Sequence, residues 1–393
     1  MEKKDKNLNV PNLRFPEFSG EWETSILLDV CEINPKTPSL DEEFVYIDLE
    51  SVEKGTILHE NVISRDDAPS RAQRVLKFND ILFQCVRPYQ KNNLLFAGYT
   101  HTLQYVASTG YAQIRTDKQN PAFLYQLLNT QKFVDQVMLR CTGTSYPAIN
   151  ANDLSKIPIC YPLQIEEQNK IAKLLSLLDN RIETQKKIIE DLKKLKDAIT
   201  HSHYRNEMSH SPMVYIGQYI TQVSKRNKDA KIDRVLSVSN KYGFINQDEQ
   251  FEDREVASAD TSNYKVVHKG DFAYNPARIN VGSVARLQEF ENGIVSPMYV
   301  CFTAKKGLLP AYFELYLSTG IFKHEMNKRL EGSVRLCLTY ESLCNIKIAL
   351  PEFNVQKDFV SKVSTILTKI RAEERLLYLY HNCKQYLLSQ MFI

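Results

Sequence analysis

Short runs of apolar residues separated by polar turns fill the first part of this chain. They give way to a long helical rhythm, and the whole cycle then repeats. Runs such as Phe44-Val45-Tyr46-Ile47 and Ile81-Leu82-Phe83, bounded by turn residues, predict strands. Around Pro121–Val137 the apolar spacing turns helical, with Pro121 suited to a first helical position. From Ile165 to Tyr204 there is neither Pro nor Gly. Ile171, Leu175, Leu178, Ile182, Ile189 and Leu192, with Gln185 in the same series, follow alternating steps of four and three, which is heptad spacing. Glu166 and Glu167 lie in the first turn, where carboxylates meet the positive end of the helix dipole, and Lys193, Lys194 and Lys196 lie late in it. Roughly 40 residues at about 1.5 Å each predict a rod about 60 Å long.

A His/Ser-rich stretch, His201-Ser202-His203 through Ser211-Pro212, reads as a linker. A second mixed segment follows from about Val214 to Pro351, and then a second helical tail over Gln356–Met391. In that tail Val363, Leu367, Ile370, Leu377, Tyr380 and Leu387 keep the three-and-four spacing. The repetition extends to individual residues. Pro121-Ala122-Phe123, Leu128, Thr130 and Phe133 return as Pro310-Ala311-Tyr312, Leu317, Thr319 and Phe322. Gly143, Leu154, Ile157, Ile159 and Pro162 return as Gly332, Leu343, Ile346, Ile348 and Pro351. Both sets are displaced by the same interval of about 189 residues (121 to 310, 162 to 351), which suits a duplicated domain with its connector and not a solenoid repeat.

The pattern predicts an α+β fold: two similar mixed α/β domains separated by two long helices packed as an antiparallel coiled coil, with internal pseudo-two-fold symmetry. A solitary helix with such a stripe would expose a long apolar seam, so pairing is the economical solution. Two unrelated surface helices are the alternative. The expected boundaries are a leader at 1–20, a first domain at 21–163, a helix at 164–206, a second domain at 207–352 and a second helix at 353–393.

Composition narrows the classes. With 43% hydrophobic and 25% charged residues the chain is not of the disordered type. A formal net charge of only +3 means that any polyanion must be met by local patches. The cysteines, at 31, 85, 141, 160, 301, 337, 344 and 383, form no Cys-x-x-Cys and no zinc-finger spacing, so reduced thiols and no metal site are expected. The charged start MEKKDKN lacks an apolar stretch behind it, and no run approaches the ~18 apolar residues of a membrane span. A soluble cytoplasmic protein is expected.

No catalytic residue is assigned. The chain has no Gly-x-Gly-x-x-Gly, Walker loop, Gly-x-Ser-x-Gly or His-Glu-x-x-His. Asn275-Pro276-Ala277-Arg278 is similar in part to the Asn-Pro-Pro-aromatic signature of amino-group DNA methyltransferases, but lacks the second Pro and the aromatic. What is present suits recognition. Arg87-Pro88-Tyr89-Gln90-Lys91-Asn92 offers a fork for guanine edges, amides for adenine, an aromatic and a phosphate-binding cation on one loop. Asn275, Arg278, Asn280, Ser283 and Arg286 occupy a similar place in the second copy, with Arg278 opposite Arg87. The duplicated Gly loops add Thr144, Ser145 and Tyr146 in one copy, and Ser333 and Arg335 in the other. Arg87 and Arg278 serve either as DNA contacts or as scaffold.

These residues resemble a known family. Val10-Pro-Asn-Leu-Arg-Phe-Pro-Glu-Phe-Ser-Gly-Glu-Trp22 resembles the leader of many specificity subunits of type I restriction–modification enzymes. Lys269-Gly-Asp-Phe-Ala-Tyr-Asn-Pro-Ala-Arg-Ile-Asn-Val-Gly-Ser-Val-Ala285, with Val295-Ser-Pro-Met-Tyr299, is similar to their second target-recognition domain. Ala107-Ser-Thr-Gly-Tyr111, and Leu154-Ser-Lys-Ile-Pro-Ile followed by Glu166-Glu-Gln168-x-Lys-Ile-Ala, are similar to the end of the first domain and the start of its helical region. The resemblance implies a non-catalytic subunit in which each target-recognition domain reads half of a bipartite site in double-stranded DNA. It further implies that the paired helices set the gap and dock two modification subunits. S-adenosylmethionine, and the ATP and Mg²⁺ used by two restriction subunits, are expected on those partners and not on this chain. In the second copy Val355-Gln356-Lys357 stands where Glu166-Glu167-Gln168 does, which suggests unequal docking. A stand-alone DNA methyltransferase and a coiled-coil adaptor without sequence specificity are the rival classes.

Overall fold

A computed structural model describes residues 9–98, 102–247, 261–332 and 335–393. The chain forms two compact units, one of residues up to Lys186 together with Arg375–Ile393, the other Lys187–Glu374.

In the first unit an antiparallel pair, Glu23–Ile26 with Pro158–Tyr161, closes the domain end to end. One four-stranded sheet runs Asn61–Ser64, Glu43–Ile47, Gln104–Ser108, Ala72–Val75, and its middle pair is parallel. The other runs Glu32–Ile33, Tyr111–Arg115, Ile81–Gln84, Leu94–Leu95, all antiparallel. The expected strands are fully buried on both sheets, as continuous apolar runs demand. The predicted helix after Pro121 is two helices, Pro121–Leu128 and Gln131–Met138, because the Thr130 side chain caps the second by accepting from the Phe133 amide.

The second unit repeats this plan. Met213–Tyr215 pairs with Lys347–Ala349. One sheet runs Gly243–Asn246, Val235–Ser239, Asn292–Val295, Lys265–His268, again with a parallel middle pair. The other runs Ile220–Val223, Val300–Ala304, Phe272–Tyr274, Val284–Arg286. Thr319 caps Gly320–Asn327 as Thr130 does its counterpart, accepting from the Phe322 amide. Asp80 and Asp271 are both buried and accept from a backbone amide three residues back, Lys77 and His268. The domain is therefore written twice in its topology and in its caps.

The long helices are Ile165–His210 and Phe353–Gln390, and each unit holds a section of both. Within the first unit Asp179 pairs with Lys384, and Arg181 Nε donates to the Tyr380 hydroxyl at 3.0 Å. Within the second, Lys193 pairs with Glu374 at 2.6 Å and His203 stacks on Phe359 at 3.7 Å between ring centroids. In each unit the partner number falls as the helix number rises, so the sections run antiparallel. Ile171, Leu175, Ile182, Ile189, Val363 and Ile370 are buried, and Leu178, Leu192, Leu367 and Leu377 are half-buried. Gln185 is also buried.

Two expectations need correction. The His/Ser-rich stretch is not a linker, since helix runs through His201 and His203 to His210. Tyr204 is buried there against Tyr312, Tyr316 and Phe359, and that packing overrides the poor helix propensity of Ser and His. The second helix start is also one residue out of step. Gln168 donates through Nε2 to the Pro162 carbonyl (2.8 Å) and to Gln119, and accepts from the Asn120 amide at 2.9 Å. Gln356, not Lys357, repeats this: it donates to the Pro351 and Gly307 carbonyls (2.9 Å each) and accepts from the Leu309 amide at 2.8 Å.

His203 carries a pH dependence. Burial holds its imidazole below the usual value of 6.5, as does nearby Lys362, while Glu207 works the other way. Its ring also meets the Tyr312 hydroxyl at 3.2 Å. The unfolded state then binds more protons, so this contribution is complete above pH 6.5 and is lost as pH falls below it. Thermal melts from pH 7.5 to 5.5 are expected to show a falling midpoint, and His203→Gln to flatten that slope. His381, held low by burial and by Lys186, Lys54 and Lys384, keeps part of the slope in the variant.

Candidate nucleic-acid interface

The first candidate surface is built on the end of strand Ile81–Gln84. Pro88 opens a 3₁₀ turn, Pro88–Gln90, and both flanking residues, Arg87 and Lys91, have left-handed backbone with φ 55°. Non-glycine residues in that region cost about 1–3 kcal/mol each and persist where their surroundings impose them. Here the Arg87 amide donates to the Pro147 carbonyl at 2.7 Å and the Lys91 amide to the Pro88 carbonyl. Gln84 is buried: its amide donates to Asn93 Oδ1, its Nε2 donates to Gln90 Oε1, and its Oε1 accepts from the Asn92 amide. Gln84 and Asn93 thus staple the loop; their buried polarity is a signal that apolar patterning does not register.

The Gly143 loop lies against this turn. Bridges join Val86 to Ala148 and Thr142 to Ala148. Gly143 has φ +87°, and a Cβ there would stand 3.0 Å from the Tyr146 carbonyl oxygen, so the turn requires glycine. The Arg87 guanidinium lies over the Tyr146 ring, 4.3 Å from its centroid. Thr144, Ser145, Tyr146 and Tyr89 are exposed on this surface. Lys91 is not free: its Nζ donates to the Asn129 carbonyl and Gln131 Oε1, and burial lowers its pKa. Asn92 accepts from the Lys54 amide.

In the second unit the loop after Phe272–Tyr274 has another build. Asn275 accepts through Oδ1 from the Ala277 amide, a 3₁₀ turn covers Ile279–Val281, and Gly282 closes it at φ +93°. The facing loop is tied by the Glu331–Cys337 bridge and by the Leu338 amide donating to the Pro276 carbonyl. Arg278, Asn280 and Arg335 are exposed. Ser283 is buried and donates to the Val238 carbonyl, and Arg286 is paired with Glu314 at 2.8 Å; both hold the fold together. Ser333 lies outside the described residues. Arg278 has φ −134°, so it is not the backbone counterpart of Arg87. A polar cavity of about 230 Å³ opens here, lined by Ser237, Tyr264, Asn275, Arg278, Ser296 and Tyr299 among others.

Burial pushes the thiols of Cys31, Cys85 and Cys301 up to about 12, which leaves them protonated and inert. Among the described residues no group of three or more His, Cys, Asp or Glu could hold a metal ion, and no helix is long and apolar enough to cross a membrane. The surfaces offer hydrogen-bonding forks, amides, hydroxyls and aromatic faces, which is equipment for reading base edges and holding phosphates.

Residues 19–194 match the family described as "Type I restriction modification DNA specificity domain". The HindI specificity subunit of Haemophilus influenzae is 27% identical over 165 residues, covering 41% of this chain and 35% of that protein. The MjaVIII specificity subunit of Methanocaldococcus jannaschii is 26% identical over 193 residues, covering 47% and 45%. The matches thus span less than half the length of either relative. The S subunit structure from M. genitalium superposes with a TM-score of 0.58 at 15% identity, covering 98% of this chain and 99% of that one. A chain from a structural study of complex assembly and conformational transition of the type I R-M system gives 0.59 at 21% identity, covering 94% and 97%. These likenesses carry the shared fold through the second unit, beyond the reach of the family match. Through its first domain and the start of the first long helix, residues 19–194, the chain is similar to the type I restriction–modification DNA specificity family.

Proposed function

We propose that this chain is the sequence-recognition subunit of a type I restriction–modification complex, acting in the cytoplasm and performing no reaction itself. Each domain reads one half of a bipartite site in double-stranded DNA. The long helices set the unread gap and dock two modification subunits, which carry S-adenosylmethionine. Two restriction subunits using ATP and Mg²⁺ complete the nuclease.

One observation supports this reading above the others. The same domain is built twice with the same strand order, yet its matched loops carry different polar side chains, Arg87 and Tyr146 in one and Asn275, Arg278 and Asn280 in the other. A duplicated scaffold with unlike loops is what two unlike half-sites require. The test is a map of methylated adenines in cells that express the chain with its modification subunit. A bipartite motif is expected, and replacing the loops of the first domain should change one half of it and leave the other intact. A pattern indifferent to those loops would fit an adaptor without sequence specificity and would remove the proposal.

A further inference from the structure

Six arginines in the described residues are half-buried: Arg14, Arg74, Arg87, Arg115, Arg286 and Arg329. Four of them are neutralised by a carboxylate, through Glu167, Asp80, Glu314 and Glu325 respectively for Arg14, Arg115, Arg286 and Arg329. The remaining two, Arg74 and Arg87, have none among the described residues. Arg74 stands on strand Ala72–Val75 opposite Ala107, beside an irregularity in the pairing between Ala107 and Ser108. Its guanidinium lies near the neutral thiol of Cys85, two residues before Arg87. Its Nε is buried without a hydrogen-bond partner. Burial lowers its pKa, the mark of a cation taken out of water with no anion in return.

The second domain shows what else this place can hold. Val75 pairs with Val106, and Lys265 with Val295, the residue at the repeat interval from Val106. By that register Tyr264 takes the place of Arg74 and Ser296 that of Ala107. Both line the polar cavity beside Asn275 and Arg278. The position is therefore a cation in one copy and a neutral hydroxyl-bearing ring in the other. A phosphate contact serves a backbone that is alike in both half-sites, so it favours a cation in both copies. A base contact changes with the base.

We propose that Arg74 reads a guanine edge in the first half-site, its fork meeting the O6 and N7 acceptors, beside the strand end from which the Arg87 loop starts. This rests on the proposed function and adds a residue to it. The test maps methylation by the full chain with its modification subunit on a library randomised in the first half-site, comparing wild type, Arg74→Ala and Arg74→Lys. Both variants should lose about ten-fold or more of the preference for guanine at one position, with the second half-site unchanged. Arg74→Lys keeps the charge but not the fork, so it decides the matter if Arg74→Ala melts early. An unchanged base preference overturns the proposal, whether binding is intact or uniformly weaker with a shallower salt dependence. A wild-type first half-site lacking guanine overturns it as well. A wild-type chain giving no bipartite motif would instead defeat the function proposed above.

Discussion

Arg14→Ala is expected to destabilise the first unit by about 3–5 kcal/mol, the cost of leaving a buried charge without its partner. That partner is Glu167, whose side chain is 1% exposed. Arg14 meets it with both arms of its fork, Nε to Oε1 and Nη2 to Oε2, each at 2.8 Å, and Trp22 Nε1 adds a third donor at 3.3 Å. The pair ties the leader to the first turn of the long helix. The Leu13 amide, donating to the Gln390 carbonyl, and Trp22, packed edge-on to Phe392, tie the same leader to the end of the second helix. Equilibrium urea unfolding would measure the loss. The double change Arg14→Leu with Glu167→Leu removes both charges and should recover much of it. A loss below about 1 kcal/mol for Arg14→Ala would mean that water reaches Glu167.

The second large effect is expected at Gln168 and Gln356. Each side chain is buried and joins the start of a long helix to the cap of a domain helix and to a turn carbonyl. Replacing either with Ala strands a backbone amide and carbonyl, at about 1–3 kcal/mol for each buried group without a partner. Gln→Glu should be no better, because a carboxylate cannot donate to the carbonyls of Pro162 or Pro351. The two sites lie in different units, so unfolding of each variant, followed by hydrogen exchange, should show protection lost first in the unit that carries the change. Equal loss in both units would contradict the local clamp.

Much of this architecture is legible in the residues alone. The runs at Phe44–Ile47 and Ile81–Phe83 are strands, the repeat interval predicts a duplicated domain, and the heptad series marks the buried stripe of the first helix. What escaped has physical reasons. Tyr204 holds His201–His210 in a helix by contacts far off in sequence, which local propensity cannot register. The one-residue slip that makes Gln356 the twin of Gln168 is invisible until the bonds are seen, because Val-Gln-Lys aligns without a gap. Arg74 sits between Gln73 and Val75 on a strand and reads as an ordinary exposed cation; its buried, unbonded Nε shows only in the structure. The candidate loops stand out by their residue types, but the bonds that commit Lys91, Ser283 and Arg286 to the scaffold depend on geometry.

The second unit is one uninterrupted stretch of chain, Lys187–Glu374, that begins in one long helix and ends in the other. Lys193 and Glu374, close to its two ends, are in contact. A stretch of gene with such boundaries can be exchanged between relatives as a cassette, with both junctions falling in regular helix and none in a loop. Under the proposed function, recombination at these points would give a new half-specificity in a single event, without redesigning any strand or turn.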